Sequence, residues 1–184
     1  MEIEGLVALL RGGGVIACAT ETWFGLLADA RSEAAVARVV ALKQRGESAI
    51  ALLVPDLASA QEVAEFTPAA RALAEKHWPG PLSLVLRAKP GLPTQLLHDG
   101  TVGMRVPGSS PALELVRAFA GPLTATSCNL SGQPASRTAA EARAYFGDQL
   151  AAIVEQDAPG GPPSTLVDAT TAELRILRLG AIEI

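Results

Sequence analysis

The chain of 184 residues is 49% hydrophobic, 18% charged and 4% aromatic, with a formal net charge of −4. At ~100–200 residues per domain this length suits one compact unit, and so apolar a composition excludes the disordered class. The charge argues against a broad basic face for nucleic acid but leaves room for a local basic pocket; 12 of the 15 cations are Arg, suited to bidentate oxyanion contacts.

Met1 to Leu10 carries Glu2 and Glu4 and lacks a basic segment, so it does not read as a signal peptide. Ile3, Leu6, Val7 and Leu10 recur at helical spacing, and Gly12-Gly13-Gly14 stops that helix. Val15 to Ala19 is a continuous apolar run of the kind buried strands show. Ser32 caps a predicted helix carrying Ala35, Val36, Val39, Val40 and Lys43, and Ile50 to Val54 is a second strand ended by Pro55-Asp56. Two short helices are expected over residues 58–77, and Pro79-Gly80-Pro81 forces an extended entry into a strand from Leu82 to Arg87. Strands at Val102 to Val106 and Leu123 to Ser127 flank an amphipathic helix from Pro111 to Ala120; Thr138 caps a helix over 139–146. The tail alternates short strands near Leu166-Val167-Asp168, Arg175 to Arg178 and Ala181 to Ile184 with loops. Strands mixed with short helices make the fold class α/β. Gly160-Gly161-Pro162-Pro163 is the most linker-like stretch, but the segment after it reads as the last strands of the same domain.

Several chemistries have no footing in the sequence. There is no GxxxxGK[ST], no GxSxG and no CxxC, and Gly12-Gly13-Gly14 precedes a strand where a dinucleotide fingerprint would follow one. His77 and His98 share no ligand spacing, so no zinc site is expected, and Cys18 and Cys128 read as buried free thiols of a reducing, cytoplasmic compartment. No apolar stretch reaches the ~20 residues that cross a bilayer.

What remains is a set of polar residues at strand ends, where open α/β sheets bind ligands. Thr20-Glu21-Thr22 follows the first strand and is either a ligand-binding tip or a turn with a helix cap. Lys43-x-Arg45 ends a helix, where cations complement the dipole or point into a pocket. Arg105 in an apolar strand requires a salt bridge or a polar cavity. Ser127-x-Asn129 offers hydroxyl and amide groups after a strand, or simply forms a loop; Ser164-Thr165 and Arg178 are weaker signals of the same kind.

Taken in order, these segments resemble the YrdC/TsaC family of L-threonylcarbamoyladenylate synthases. The family's PTET-x-[YF]-GL stands here as Ala19-Thr20-Glu21-Thr22-Trp23-Phe24-Gly25-Leu26, its KxR as Lys43-Gln44-Arg45, and its WPGPLT as Trp78-Pro79-Gly80-Pro81-Leu82-Ser83. Its RVP is Arg105-Val106-Pro107, its SxNLSG is Ser127-Cys128-Asn129-Leu130-Ser131-Gly132, and its PST and LRxG are Pro163-Ser164-Thr165 and Leu177-Arg178-Leu179-Gly180. The match spans Val15 to Gly180.

The resemblance implies a single YrdC-like domain over 1–184, a twisted open sheet with a deep central cavity for ATP and L-threonine. It implies that the threonine amine takes up bicarbonate or CO2 and that the carbamate attacks the α-phosphate of ATP. Pyrophosphate leaves, and threonylcarbamoyl-AMP passes to the complex that modifies A37 of tRNAs reading ANN codons. Lys43, Arg45, Ser127 and Asn129 are the implied catalytic set and hold the triphosphate; Thr101 and Arg178 are further implied ATP contacts, and Thr22, Arg105 and Ser164 the threonine-binding residues. Mg2+ is expected through the ATP phosphates, with no protein metal site. A weak tRNA contact is compatible with this reading, a membrane is not. Four positions depart from the family: Ala19 and Gly46 replace Pro, Trp23 replaces Val, and Val54 stands where longer members carry His. The chain matches the short bacterial type without an added C-terminal domain. The alternatives weighed are a non-catalytic RNA- or ribosome-binding relative and the carbamoyl-transfer domain of hydrogenase maturation proteins.

Overall fold

A computed structural model of the chain describes residues 1–43 and 50–184. The elements are α1 (Ile3–Arg11), β1 (Ile16–Ala19), β2 (Phe24–Leu27), α2 (Glu33–Lys43), β3 (Ala51–Leu53), α3 (Leu57–Val63), β4 (Ala64–Glu65), α4 (Pro68–His77), β5 (Leu82–Ala88), β6 (Thr101–Arg105), α5 (Pro111–Phe119), β7 (Leu123–Ser127), α6 (Ala139–Phe146), β8 (Ala152–Ile153), β9 (Thr165–Asp168) and β10 (Arg175–Arg178). The strands share one twisted sheet in the order β10-β9-β5-β6-β3-β7-β2-β1-β8, with β4 beside the far end of β5. The sheet is mixed: β3/β6, β5/β9 and β1/β8 run parallel and the other neighbours antiparallel.

Local chemistry sets the helix starts. Asp56, Thr67 and Ser110 each accept a backbone N–H of the first turn, and Pro68 and Pro111 occupy early positions where a missing N–H costs nothing. Thr138 and Glu141 form a reciprocal capping box on α6. Helix α1 packs on α5, which in turn packs on β1, so all four residues of β1 are buried.

The short strands β2, β4 and β8 were not expected from sequence. Strand β2 follows the Thr20–Trp23 turn directly, so that turn caps no helix. The expected strand at Ala181 to Ile184 does not form. Thr165 Oγ1 accepts from Gly180 N and Ile182 N and donates to Ile182 O, so a side chain holds the tail where a partner strand would have been needed. Gly180 is confined there, since a Cβ would run into Pro163 O and the Ser164 carbonyl.

Cys18 and Cys128 are buried free thiols, as expected. Burial, aided by Glu114, pushes Cys18 up to about 12, and burial pushes Cys128 up to about 11 against Ser136 and Lys43. Neither forms thiolate near neutrality, so iodoacetamide at pH 8 labels neither in the native protein and both in 8 M urea, read by mass spectrometry. A second test concerns Thr124, fully buried between β7 and β2: its hydroxyl accepts from Ala28 N and donates to Leu26 O, each at 3.0 Å. Thr124→Val keeps the shape and strands both backbone groups, so urea unfolding is expected to shift down by about 1–3 kcal/mol with unchanged slope.

Candidate active site

A cavity of about 490 Å3 lies over the middle of the sheet and is shaped by small residues. Along β6, Val102 and Met104 are buried on one face while Thr101, Gly103 and Arg105 line up on the other. Register carries this row across the sheet: Leu53 pairs with Arg105, and Ala51 pairs with Ala125. Ala51, Ala125 and Gly25 line the cavity, and three so small side chains on adjoining strands leave the hollow. Polar groups ring it: Thr20, Thr22, Ser83, Arg105, Thr126, Ser127, Ser164 and Arg178.

At one end stand Arg105, Ser83, Ser164 and Arg178. Ser83 Oγ and Ser164 Oγ lie 2.8 Å apart, both buried. Arg178 donates to Ser164 O at 2.8 and 3.2 Å and to Ser164 Oγ at 3.3 Å. Arg105 meets Glu21 through Nε at 3.3 Å, so the salt bridge and the polar cavity are both realised. Burial pulls the Arg105 pKa below its ordinary value, opposed by Glu21 and reinforced by Arg178.

At the other end Ser127 closes β7. Its hydroxyl donates to Asn129 Oδ1 at 2.6 Å, and Lys43 Nζ donates to Ser127 O at 2.5 Å, Asn129 O at 2.7 Å and Asn129 Oδ1 at 2.6 Å, with Ser127 Oγ at 3.3 Å. Lys43 is 1% exposed. The Lys43 ammonium lies behind Ser127, where its protons find carbonyl and side-chain oxygens. Asn129 is likewise buried, its amide donating to Gln133 O. Ser127 presents this cluster to the cavity.

The side walls come from two loops. Thr20 Oγ1 accepts from Thr22 N and Trp23 N, fixing the β1–β2 turn, and Thr22 faces the cavity. The Gly-Pro stretch is no linker: Gly160 N donates to Thr22 O and Trp23 Nε1 donates to Gly161 O, clasping it to that turn. Ala135 of the 133–137 loop also lines the cavity, and Ser136 ties that loop to Phe24 N and Cys128.

The structure thus gathers Thr22, Arg105, Ser127, Ser164 and Arg178 around one cavity, with Lys43 and Asn129 directly behind. Thr101 shares the face of Arg105 but is not in the lining; its hydroxyl donates to His98 O. Arg45 lies outside the described residues. Ser83 and the small floor residues were missed. Ser83 was quoted inside a motif without a role, and Gly25, Ala51 and Ala125 carry no chemical signal. Among the described residues no group of three or more His, Cys, Asp or Glu could hold a metal.

The Sua5/YciO/YrdC family model, described as "Telomere recombination", matches residues 8–180. The chain belongs to this family. It is 36% identical over 173 residues to the threonylcarbamoyl-AMP synthase of Thiobacillus denitrificans, covering 92% of each protein. It is 38% identical over 175 residues to that of Klebsiella pneumoniae, covering 91% of each. Among solved structures of the Sua5/YciO/YrdC type, P. abyssi Sua5 in complex with L-threonine superposes with a TM-score of 0.90 at 31% identity. That match covers 97% of this chain and 54% of that one, so the chain spans about half the length of Sua5. E. coli YciO superposes at 0.89 with 26% identity, over 98% and 90% of the two chains.

The Lys43 cluster gives a stability test within this family fold. Lys43→Met keeps the length of the side chain but removes a donor from Asn129 O, and leaves Ser127 O with only Asn129 N and Asn129 Oδ1 with only the Ser127 hydroxyl. A loss of about 1–3 kcal/mol in urea unfolding is expected, against no loss if Lys43 served the pocket alone.

Proposed function

We propose that this chain is an L-threonylcarbamoyladenylate synthase, a nucleotidyltransferase that makes threonylcarbamoyl-AMP and pyrophosphate from L-threonine, bicarbonate or CO2, and ATP. The observation that carries this reading is the cavity itself. Arg105 and Arg178 stand at one end and the Lys43–Ser127–Asn129 cluster near the other, over an uncharged floor. The volume falls within the ~300–1,000 Å3 of small-molecule sites.

Arg105 takes the threonine carboxylate as a fork, with Thr22 and Ser164 supplying hydroxyls beside it. Carbamate formation joins the threonine nitrogen to CO2 with loss of a proton. The carbamate oxygen then bonds to the α-phosphorus as the bond to the bridging oxygen of pyrophosphate breaks. Charge grows on phosphate oxygens in that step, and donors fixed in advance stabilise it without reorganising. The Lys43 ammonium, held behind Ser127, supplies fixed positive charge at one end of the cavity, and Arg178 supplies N–H donors. Arg45 and Thr101 complete the nucleotide contacts in this proposal. Mg2+ enters with the nucleotide, held by phosphates and water, a mode that asks little of protein carboxylates. The product is a reactive mixed anhydride. We place its use in N6-threonylcarbamoyladenosine formation at tRNA position 37, by handover to a threonylcarbamoyl-transfer complex in the cytoplasm. No helix of the described residues is long and apolar enough to cross a membrane.

Pyrophosphate release measured by a coupled assay is expected only when ATP, L-threonine and bicarbonate are all present with Mg2+. Arg105→Lys should raise the KM for threonine about 10–100-fold, the worth of a charge-assisted fork, and leave the KM for ATP near wild type. Release without threonine, or none with all three substrates, rejects the reading.

A further inference from the structure

Glu21 is the one acidic side chain in contact with the cavity's cations among the described residues, and the reaction above gives it no task. It sits in the β1–β2 turn, its side chain 12% exposed, against the 13% exposed Arg105 at the end of β6. Three features show a built contact. The turn is fixed by Thr20, whose hydroxyl accepts the N–H groups of Thr22 and Trp23, so Glu21 is held between Thr20 and Thr22. Gly108 makes room for the carboxylate: a Cβ there would lie 3.1 Å from Glu21 Cγ and 3.2 Å from its Cβ. Finally, Glu21 Oε1 and Arg105 Nε meet as an ion pair at 3.3 Å, and among the described residues neither Glu21 oxygen nor Arg105 Nε makes a hydrogen bond, so the buried charge of each is answered by the other.

A guanidinium whose Nε edge faces a carboxylate is biased in the rotation that aims its two terminal nitrogens. Those nitrogens form the edge that takes a carboxylate as a fork, and Arg105 lines the cavity. Without a partner at Nε, a buried Arg105 would also be repelled by Arg178 and turn from it. We infer that Glu21 is a positioning residue for amino-acid recognition: it holds Arg105 through Nε and so aims the guanidinium edge at the substrate carboxylate.

This rests on the reading of Arg105 as the carboxylate receptor, and the test separates the two. Steady-state kinetics of Glu21→Gln should show the KM for threonine raised about tenfold, with kcat and the KM for ATP within about twofold. Because Glu21 acts through Arg105, Glu21→Gln should add nothing to Arg105→Lys, a coupling that general destabilisation would not produce. Gly108→Ala crowds Glu21 without changing charge and should move the threonine KM in the same direction by less; it carries the test if Glu21→Gln fails to fold. An unchanged threonine KM in both variants, or full multiplication of the Glu21→Gln and Arg105→Lys effects, overturns the inference. If Arg105→Lys itself leaves the threonine KM unchanged, the receptor reading falls and the inference with it.

Discussion

Positive charge has to leave water here without being left alone, and the cavity end of the fold is arranged around that constraint. A buried ammonium or guanidinium is costly unless oxygens receive it. Lys43 meets it with carbonyl and side-chain oxygens of Ser127 and Asn129, which requires the segment after β7 to curl over the end of α2. Arg105 meets it with Glu21, which requires the β1–β2 turn to reach the end of β6. Arg178 meets it with Ser164, which draws the end of β10 onto the start of β9. Three long-range closures that build the walls of the site are therefore also the conditions for keeping its cations.

The same arrangement explains why the hollow persists. Sheet faces of α/β proteins are normally covered by large apolar side chains, and a floor of Gly25, Ala51 and Ala125 gives up that burial. Stability is recovered on the other face and at the edges, where Leu52, Leu84, Met104 and all of β1 are fully buried and α5 covers β1. The cavity is thus an omission on one face of a sheet whose opposite face is well filled.

Much of this was legible in the sequence, and the parts that were not have physical reasons. The continuous apolar run Val15–Ala19 announced itself, as did the strand entered from Pro79-Gly80-Pro81 and the helices opened by Ser32 and Thr138, because these signals are local. Strands β4 and β8 are two residues long and have no period to detect. The tail at 181–184 carried alternating apolar residues that look like a strand, yet Ile182 bonds to the hydroxyl of Thr165 and Ala181 N to Pro163 O, partners no local pattern reveals. For the site, Arg105 was marked by the cost of a charge in an apolar strand, and its location followed. Lys43 was marked as a cation, but its depth was not legible: its acceptors are 84 and 86 residues away, and burial of a lysine is decided by those acceptors.

A final consequence concerns how the two ends of the cavity communicate. Arg105 pairs in register with Leu53, and Ala51, two residues earlier on β3, pairs with Ala125, two residues short of Ser127. The Arg105 end and the Ser127 end are thus offset by about four residues along the strands, or ~13 Å at ~3.3 Å per residue, and lie two strand spacings, or ~10 Å, apart across them. Strand β3 is flanked by β6 and β7 and cannot stretch, so the separation is a property of the sheet and not of the loops. In the function proposed above, an amino acid on Arg105 and a phosphate chain at Ser127 meet between the ends, over the small residues of the floor. That reading draws proximity from a span whose length is set by the backbone geometry of the sheet.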